Sequence, residues 1–281
     1  MATANGALVE AAPAKLNLAL HVRARRADGY HELETLFAFC RDGDTLSITP
    51  ADAPSFVVDG PFAAALAGEG DNLVLRAVRA FGAAFGEPGA LAITLTKRLP
   101  VASGLGGGSA DAAAALRLLA RTRGVALSDA KLRAVAAALG SDVPACLLGL
   151  VAVGRGRGEA LAPVTGLEPW PVLLVNPGVP VATGPVFAGW DGVDRGALRD
   201  GDPLEAALDG RNDLEAPALA IAPVIGTVLA MLRTTRPMLA RMSGSGATCF
   251  ALYRTEAERA AAAAAIAEHA PDWWRLETAL A

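Results

Sequence analysis

Residues Gly104-Leu105-Gly106-Gly107-Gly108 put four glycines into five positions, and the alanine-rich run Ser109-Ala110-Asp111-Ala112-Ala113-Ala114-Ala115-Leu116 follows at once. Ordered glycine loses more conformational entropy than any other residue, so this density implies a need for bare backbone at that point. A helix N-terminus presents unpaired N–H groups and a partial positive charge. Glycines just ahead of it let the main chain close around a phosphate. A plain strand-to-helix turn needs only one or two. Two familiar phosphate loops do not fit: there is no lysine for a GxxxxGK[ST] pattern, and counting GxGxxG from Gly104 puts Ser109 where the third glycine belongs. The segment therefore reads as a phosphate cradle of another design, with Ser103 and Ser109 flanking the glycines as further contacts to phosphate oxygens.

The rest of the chain narrows the function classes. Its 281 residues suffice for one large domain or two ordinary ones, and the net charge of −4 with no basic block argues against a nucleic-acid partner. Cys40, Cys146 and Cys249 are odd in number, far apart and free of any CxxC, which fits a reducing cytosol better than a disulfide or zinc framework. No signal peptide is visible at the N-terminus. The longest uncharged apolar run, Ala216–Leu232, is shorter than the roughly 20 residues a membrane span needs, and Pro217 and Pro223 interrupt it. A cytoplasmic protein without a membrane partner is expected. Only three of its 25 basic residues are lysine (Lys15, Lys97 and Lys131), so each lysine is a weak pointer to required chemistry.

Patterning gives mixed elements. Residues 15–22 alternate, with Leu16, Leu18, Leu20 and Val22 on one face and Lys15, Asn17, Ala19 and His21 on the other, which predicts a half-buried strand whose Lys15 and Asn17 point into the same space. A charged turn at Asp28-Gly29 precedes a returning strand, with TLSIT and SFVVD after it. Helices are predicted at 72–86, capped by Asp71 or Asn72, and at 128–139, ended by Gly140. Ser141 is placed to cap the next helix, and Asp142 falls in its first turn. Strands are predicted at 90–100, 150–154 and 170–177, with GRGRGE (154–159) as a hairpin tip carrying solvated arginines. Residues 190–215 read as an irregular acidic loop and 216–232 as one buried helix. Residues 241–253 read as strand-turn-strand and 255–269 as a terminal helix, with Trp273 and Trp274 packing it down. This mixture is α+β rather than doubly wound. A domain boundary is expected near 155–170, where Gly and Pro cluster.

Three segments carry a resemblance to a known family. PVASGLGGGSADAAAAL (100–116) resembles the second motif of the GHMP kinase superfamily, PAKLNLAL its first, and RMSGSGATCFAL its third, a glycine turn packed beside the phosphate loop. They occur in the family's order across the whole chain. Triple-glycine-serine, ADGYHELETLF and LGSDVPACLLG are similar to the branch whose small-molecule substrate carries a cytidine diphosphate. The resemblance implies a two-domain fold: residues 1–160 as an ATP-binding domain with an S5-like β-α-β core, and residues 161–281 as a ferredoxin-like α+β domain on the substrate side. It implies ATP as co-substrate, with Mg2+ whose protein ligands stay unknown, and a monomer or weak homodimer. ATP contacts then fall on Pro100, Ser103, Gly104, Leu105, Gly106, Gly107, Gly108, Ser109 and Ala110.

For catalysis the resemblance names Asp142 as the base for the substrate hydroxyl, with Lys15 as its companion; from the residues alone Asp142 serves equally as a first-turn helix aspartate. An ammonium there would offset the charge that grows as the hydroxyl loses its proton. Asn17 would bond substrate or orient Lys15. On the substrate side the resemblance implies that Tyr30 and His31 recognise cytosine, with Phe187 as the second aromatic and Thr183 near it. Stacking on a flat ring and pairing with an imidazole suit a nucleobase, although a lone Phe is as readily core. His21 is expected to be structural. Two other readings share the motifs: a mevalonate- or homoserine-type kinase of the same family, or a non-catalytic nucleotide-binding sensor. The sensor would be expected to lack Lys15 or Asp142.

Overall fold

The computed structural model describes residues 6–67 and 71–281. The chain forms two compact units that are interleaved in sequence: one holds the residues up to Ala14, Asp42–Val101 and Gly106–Gly149, the other Lys15–Arg41, Ala102–Leu105 and Leu150–Ala281. The paired strands β1 (Leu8–Arg25) and β2 (His31–Pro50) each supply residues to both.

In the first unit, residues Thr45–Pro50 of β2 run antiparallel to β4 (Leu91–Thr96), and β3 (Ser55–Asp59) runs parallel to β4 on its other side. Helices α1 (Leu73–Phe85), α2 (Gly107–Arg123), α3 (Ala130–Leu139) and α4 (Val143–Leu148) accompany them. α2 packs against α1 and α4 and is buried from Ala110 through Leu116. Alanine on every side lets its neighbours approach closely, which is how a helix of low hydrophobicity comes to be a core helix. The Asn72 cap matches expectation, its side chain accepting from the Val74 N–H, and α3 is capped by Asp129, whose side chain accepts from Lys131 and Leu132. The next cap differs from expectation. Asp142, not Ser141, is the N-cap of α4, and no side chain there bonds the first-turn amides.

In the second unit, residues Leu33–Phe37 of β2 pair antiparallel with β5 (Ala152–Gly156), which forms a hairpin with β6 (Ala160–Pro163). A separate antiparallel sheet has the order β10-β7-β9-β8, built from β7 (Pro171–Asn176), β8 (Leu239–Met242), β9 (Cys249–Leu252) and β10 (Trp274–Ala279). α8 (Val224–Thr234) packs on β8 and β9, and α9 (Glu256–His269) on β7. In chain order these elements run β-α-β-β-α-β, the ferredoxin-like arrangement expected for this part of the molecule. α9 opens with a capping box between Thr255 and Glu258. Leu280 bridges to Cys40, so the sheet region closes onto the first part of the chain.

Two expectations about helices are also corrected. The loop at 190–215 contains α6 (Pro203–Asp209), begun by Asp202, whose side chain accepts from Leu204 and Glu205, and by Pro203 in the first turn. The single helix at 216–232 is two, α7 (Glu215–Ile221) and α8, because Pro223 excludes the helical conformation at Ala222 and then starts the second helix. Trp274 opens strand β10, which contacts α9, and Trp273 packs against the cluster that includes Ile266 of α9. A further short helix, α5 (Thr183–Ala188), follows β7. The three cysteines are all free thiols and buried.

Residues 14–22 of β1 are buried on both faces, so this stretch is not half-buried: Lys15 and Asn17 are each 3% exposed and His21 2%. The polar face survives burial because its groups are bonded. The Arg211 N–H donates to His21 Nε2 at 3.2 Å, which leaves the ring proton on Nδ1, 3.2 Å from the Gly196 carbonyl. That neutral tautomer cannot accept a second proton without losing the Arg211 bond. Burial, and then the charge of Arg211, hold its pKa below the ordinary 6.5. As pH falls below about 6.5 the unfolded chain takes up a proton that the native state refuses, so stability is full above that pH and drains away below it. The denaturant midpoint should fall between pH 7 and pH 5, and the fall should be shallower in His21→Gln.

Candidate functional site

Within the second unit the two polar residues of β1 meet as the alternation predicts. Lys15 Nζ donates to Asn17 Oδ1 at 2.7 Å. Asn17 Nδ2 donates to Thr35 Oγ1 at 2.8 Å, and Thr35 Oγ1 donates to the Ala19 carbonyl at 2.7 Å. The chain of donors fixes the Asn17 amide with its oxygen toward the ammonium. Lys15 also lies 5.4 Å from the centre of the Phe37 ring. A buried ammonium is stabilised here by an amide dipole and an aromatic face.

The first half of the glycine loop is held in the same unit. Ser243 Oγ donates to the Gly104 carbonyl at 3.0 Å and accepts from the Asn17 N–H at 3.3 Å. The Lys15 N–H donates to Leu105 O at 2.9 Å, and the Thr248 N–H to Ser103 O at 3.0 Å. The turn Ser243-Gly244-Ser245-Gly246 thus packs beside Ser103–Leu105, as the third motif predicts. The approach requires glycine: Gly104 has φ +79°, and a Cβ on it would lie 2.3 Å from the Ser243 carbonyl oxygen. A Cβ on Gly244 would lie 3.1 Å from the Gly104 carbonyl oxygen and 3.3 Å from Asn17 Oδ1. Asn212 Nδ2 fastens the turn from behind through the carbonyls of Met242 and Gly244, both at 2.8 Å.

The second half of the loop opens α2 in the first unit. Gly106 is its N-cap in the left-handed conformation, φ +62°, and no side chain caps the first turn. Gly108 has no positive φ, and a Cβ on it would meet nothing within 4 Å. Neither backbone strain nor packing among the described residues calls for glycine there. Behind this turn Lys97, Asp44 and Asp111 form a buried ionic cluster, with Lys97 Nζ 2.5 Å from Asp44 Oδ2 and 2.7 Å from Asp111 Oδ2. Asp142, at the N-cap of α4, belongs to this unit.

Back in the second unit, the proposed base-recognition residues fall into two groups. The His31 and Phe187 rings lie 5.1 Å apart, and His31 meets Trp190 edge-on at 5.7 Å. His31 Nε2 is buried without a hydrogen-bond partner among the described residues. Burial and the neighbouring Arg25 charge hold its pKa below the usual value. Tyr30 is 52% exposed, with the Arg157 guanidinium 4.8 Å from its ring centre. That arginine of the β5–β6 hairpin tip is therefore stacked rather than free in solvent. Thr183 Oγ1 lies 3.0 Å from Ser245 Oγ at the start of α5, tying the region to the 243–246 turn. Sequence reasoning did not single out Ser243, Ser245, Thr35, Asn212 or Trp190. Serines and glycines of the third motif were visible, but which hydroxyl faces the loop depends on a pairing over more than a hundred residues.

Similarity to known proteins agrees with this geometry. Residues 72–150 match the GHMP kinases N terminal domain and residues 194–272 the GHMP kinases C terminal domain. The chain belongs to the GHMP kinase family and is a kinase. It is 57% identical over 277 residues, 96% of this chain and 94% of the other, to the 4-diphosphocytidyl-2-C-methyl-D-erythritol kinase of Rhizorhabdus wittichii. It is 53% identical to the kinase of the same name from Sphingopyxis alaskensis, over 95% of this chain and 96% of that one. A crystal structure of 4-(cytidine 5'-diphospho)-2C-methyl-D-erythritol kinase superposes with a TM-score of 0.78 at 36% identity, covering 97% of this chain and 99% of that one. A homoserine kinase from Cytophaga hutchinsonii, at TM-score 0.69 and 16% identity over 100% of this chain and 96% of that one, shares the fold. Among the described residues no helix is long and apolar enough to cross a membrane.

Two glycines of the loop should respond oppositely to a methyl group. Gly104→Ala should lose at least about 2 kcal/mol in denaturant unfolding, from the left-handed backbone and the collision with Ser243 together. Gly108→Ala should leave stability unchanged or raise it by about 0.5–1 kcal/mol.

Proposed function

We propose that the protein transfers the γ-phosphoryl group of ATP to the 2-hydroxyl of 4-diphosphocytidyl-2-C-methyl-D-erythritol, a step in isoprenoid precursor synthesis, as a cytoplasmic monomer or weak homodimer. The observation that carries the reading is the full-length identity to relatives of that name. The geometry supports it at the phosphate loop. The first turn of α2 offers main-chain amides that no side chain caps, next to a glycine at 108 that nothing in the chain itself requires. Close approach of a triphosphate supplies the missing reason for that glycine. In this reading Pro100, Ser103, Gly104, Leu105, Gly106, Gly107, Gly108, Ser109 and Ala110 form the nucleotide's loop.

The chemistry is positioning and charge compensation. Asp142 takes the proton of the tertiary hydroxyl as its oxygen bonds to the γ-phosphorus and the bond to the ADP oxygen breaks. Lys15, held by Asn17, offsets the negative charge that gathers on the oxygens in flight. Among the described residues no group of three or more His, Cys, Asp or Glu is placed to hold a metal ion. Mg2+ accompanying ATP here would act as counter-ion of the phosphates and neutralise their charge.

For the nucleobase, the unpartnered His31 Nε2 beside the Phe187 ring offers one polar partner and one flat face. Cytosine supplies both complements, with Tyr30 adding a second ring and Thr183 a hydroxyl.

Purified protein should release ADP with the cytidylated substrate and not with mevalonate or homoserine; the reverse pattern assigns it to another kinase of the family. Asp142→Asn should lower kcat by about 10²-fold or more with ATP KM little changed. Phe187→Ala should raise KM for the cytidylated substrate more than it lowers kcat, since a stacking face of about 1–3 kcal/mol per base is removed. Gly108→Ala should raise KM for ATP without loss of fold.

A further inference from the structure

The lysine scarcity noted in the sequence has a second beneficiary besides Lys15. Lys97 follows β4, is 2% exposed, and sits between Asp44 of β2 at 1% and Asp111 of α2 at 2%. Asp44 is well compensated: its Oδ1 accepts the N–H groups of Arg98 at 2.6 Å and Leu99 at 2.8 Å, while Oδ2 takes Lys97. Asp111 is not. Its Oδ2 takes Lys97 at 2.7 Å, but its Oδ1 is buried with no hydrogen-bond partner among the described residues. One ammonium thus faces two carboxylates, and the uncompensated charge falls on Asp111.

The cluster bears directly on the phosphate-binding turn. A Cβ on Gly107, the first residue of α2, would lie 3.0 Å from Lys97 Nζ and 3.6 Å from Asp44 Oδ2. Asp111 lies one helical turn further on, about 6 Å along the axis. The charged groups facing Asp111 are Lys97 and Asp44. The buried faces of α1, α3 and α4 present apolar groups and the Cys146 thiol, while Arg76, Arg79, Lys131 and Arg133 on α1 and α3 are exposed.

We propose that the Asp44–Lys97–Asp111 cluster is a positioning device for the first turn of α2, and that Asp111 carries a proton whenever nucleotide phosphates occupy that turn. The inference rests on the reading that ATP binds there. Lys97 pins the turn from behind by its bonds to β2 and to α2 itself. A bare buried carboxylate oxygen is costly in apolar surroundings and repels an anion one turn away. A proton on Asp111 neutralises the cluster and removes both penalties. The balance lies in an accessible range, since burial, set against the pull of Lys97, raises the Asp111 pKa to about 7. Phosphate binding shifts it further up, so ATP binding takes up a proton above pH 7 and none below. Affinity for ATP therefore falls as pH rises through 7 and beyond.

The test compares KM for ATP in wild type and Asp111→Asn from pH 6 to 8.5. The amide keeps the size and can still accept from Lys97, but carries no charge. The ratio of the two KM values cancels the ionisation of ATP itself. The wild-type to variant ratio should be near 1 at pH 6 and rise about threefold to tenfold by pH 8.5, with KM for the alcohol substrate following no such trend. A flat ratio, or a variant that differs only in melting temperature, overturns the proposal. A second measurement needs no variant: calorimetric titration of wild type with the β,γ-imido analogue of ATP at pH 8, in buffers of different ionisation enthalpy, should show proton uptake, and its absence overturns the proposal too. If ATP does not bind this turn at all, Gly108→Ala will also leave ATP KM untouched, and both readings fall. If Gly108→Ala raises it while the ratio stays flat, only the present one does.

Discussion

One hydroxyl joins the three sequence segments on which the site depends. Ser243 accepts from the backbone of Asn17 and donates to the carbonyl of Gly104, so the strand bearing Lys15, the glycine loop and the 243–246 turn share a single atom. Around it the backbones lie too close for any side chain at Gly104. The consequence is geometric. The backbone of Lys15 and the carbonyls of Ser103–Leu105 hold their relation through short main-chain bonds and the short Ser243 side chain, and the Lys15 ammonium is then fixed on that frame by Asn17.

The polar groups of this region are costly to bury, and most are bonded by neighbours. Lys15 is met by Asn17 and Phe37, Asn17 by Thr35, and Thr35 by the Ala19 carbonyl. Arg241 of β8 is handled the same way: it reaches the carbonyls of Leu18, Ala207 and Gly210. Burial pushes its pKa down to about 10, still far above neutrality, so it remains a cation held by carbonyl dipoles. The exceptions are few. His31 Nε2, Asp111 Oδ1 and the ring nitrogens of Trp170 and Trp190 lack hydrogen-bond partners among the described residues, and the first two lie next to segments read as ligand-binding.

Much of this was legible in the sequence because it is local. The alternation at 15–22 put Lys15 and Asn17 together, Asn72 and the Gly140 break marked helix ends, and the glycine density marked the loop. Failures came where local signals compete or where distant partners decide. Ser141 is a good cap by type, yet Asp142 takes the position. Pro223 could kink or divide a helix, and it divides one. The polar face of β1 looks solvated, since nothing nearby in sequence announces that Thr35, Gly196, Arg211 and Ser243 will cover it. The charges of Lys97, Asp44 and Asp111 are separated by up to 67 residues, and only the folded chain shows them as one group.

The interleaving of the two units has an implication for synthesis. The second unit needs Lys15–Arg41, yet strand β10 and the bridge from Leu280 to Cys40 close it about 240 residues later. While the ribosome works through that interval, the early strand with its buried lysine and histidine has none of its final covering from the late sheet. Completing the second unit therefore requires loop closure over long separations, which is slower as a class of event than forming the local helices of the first unit.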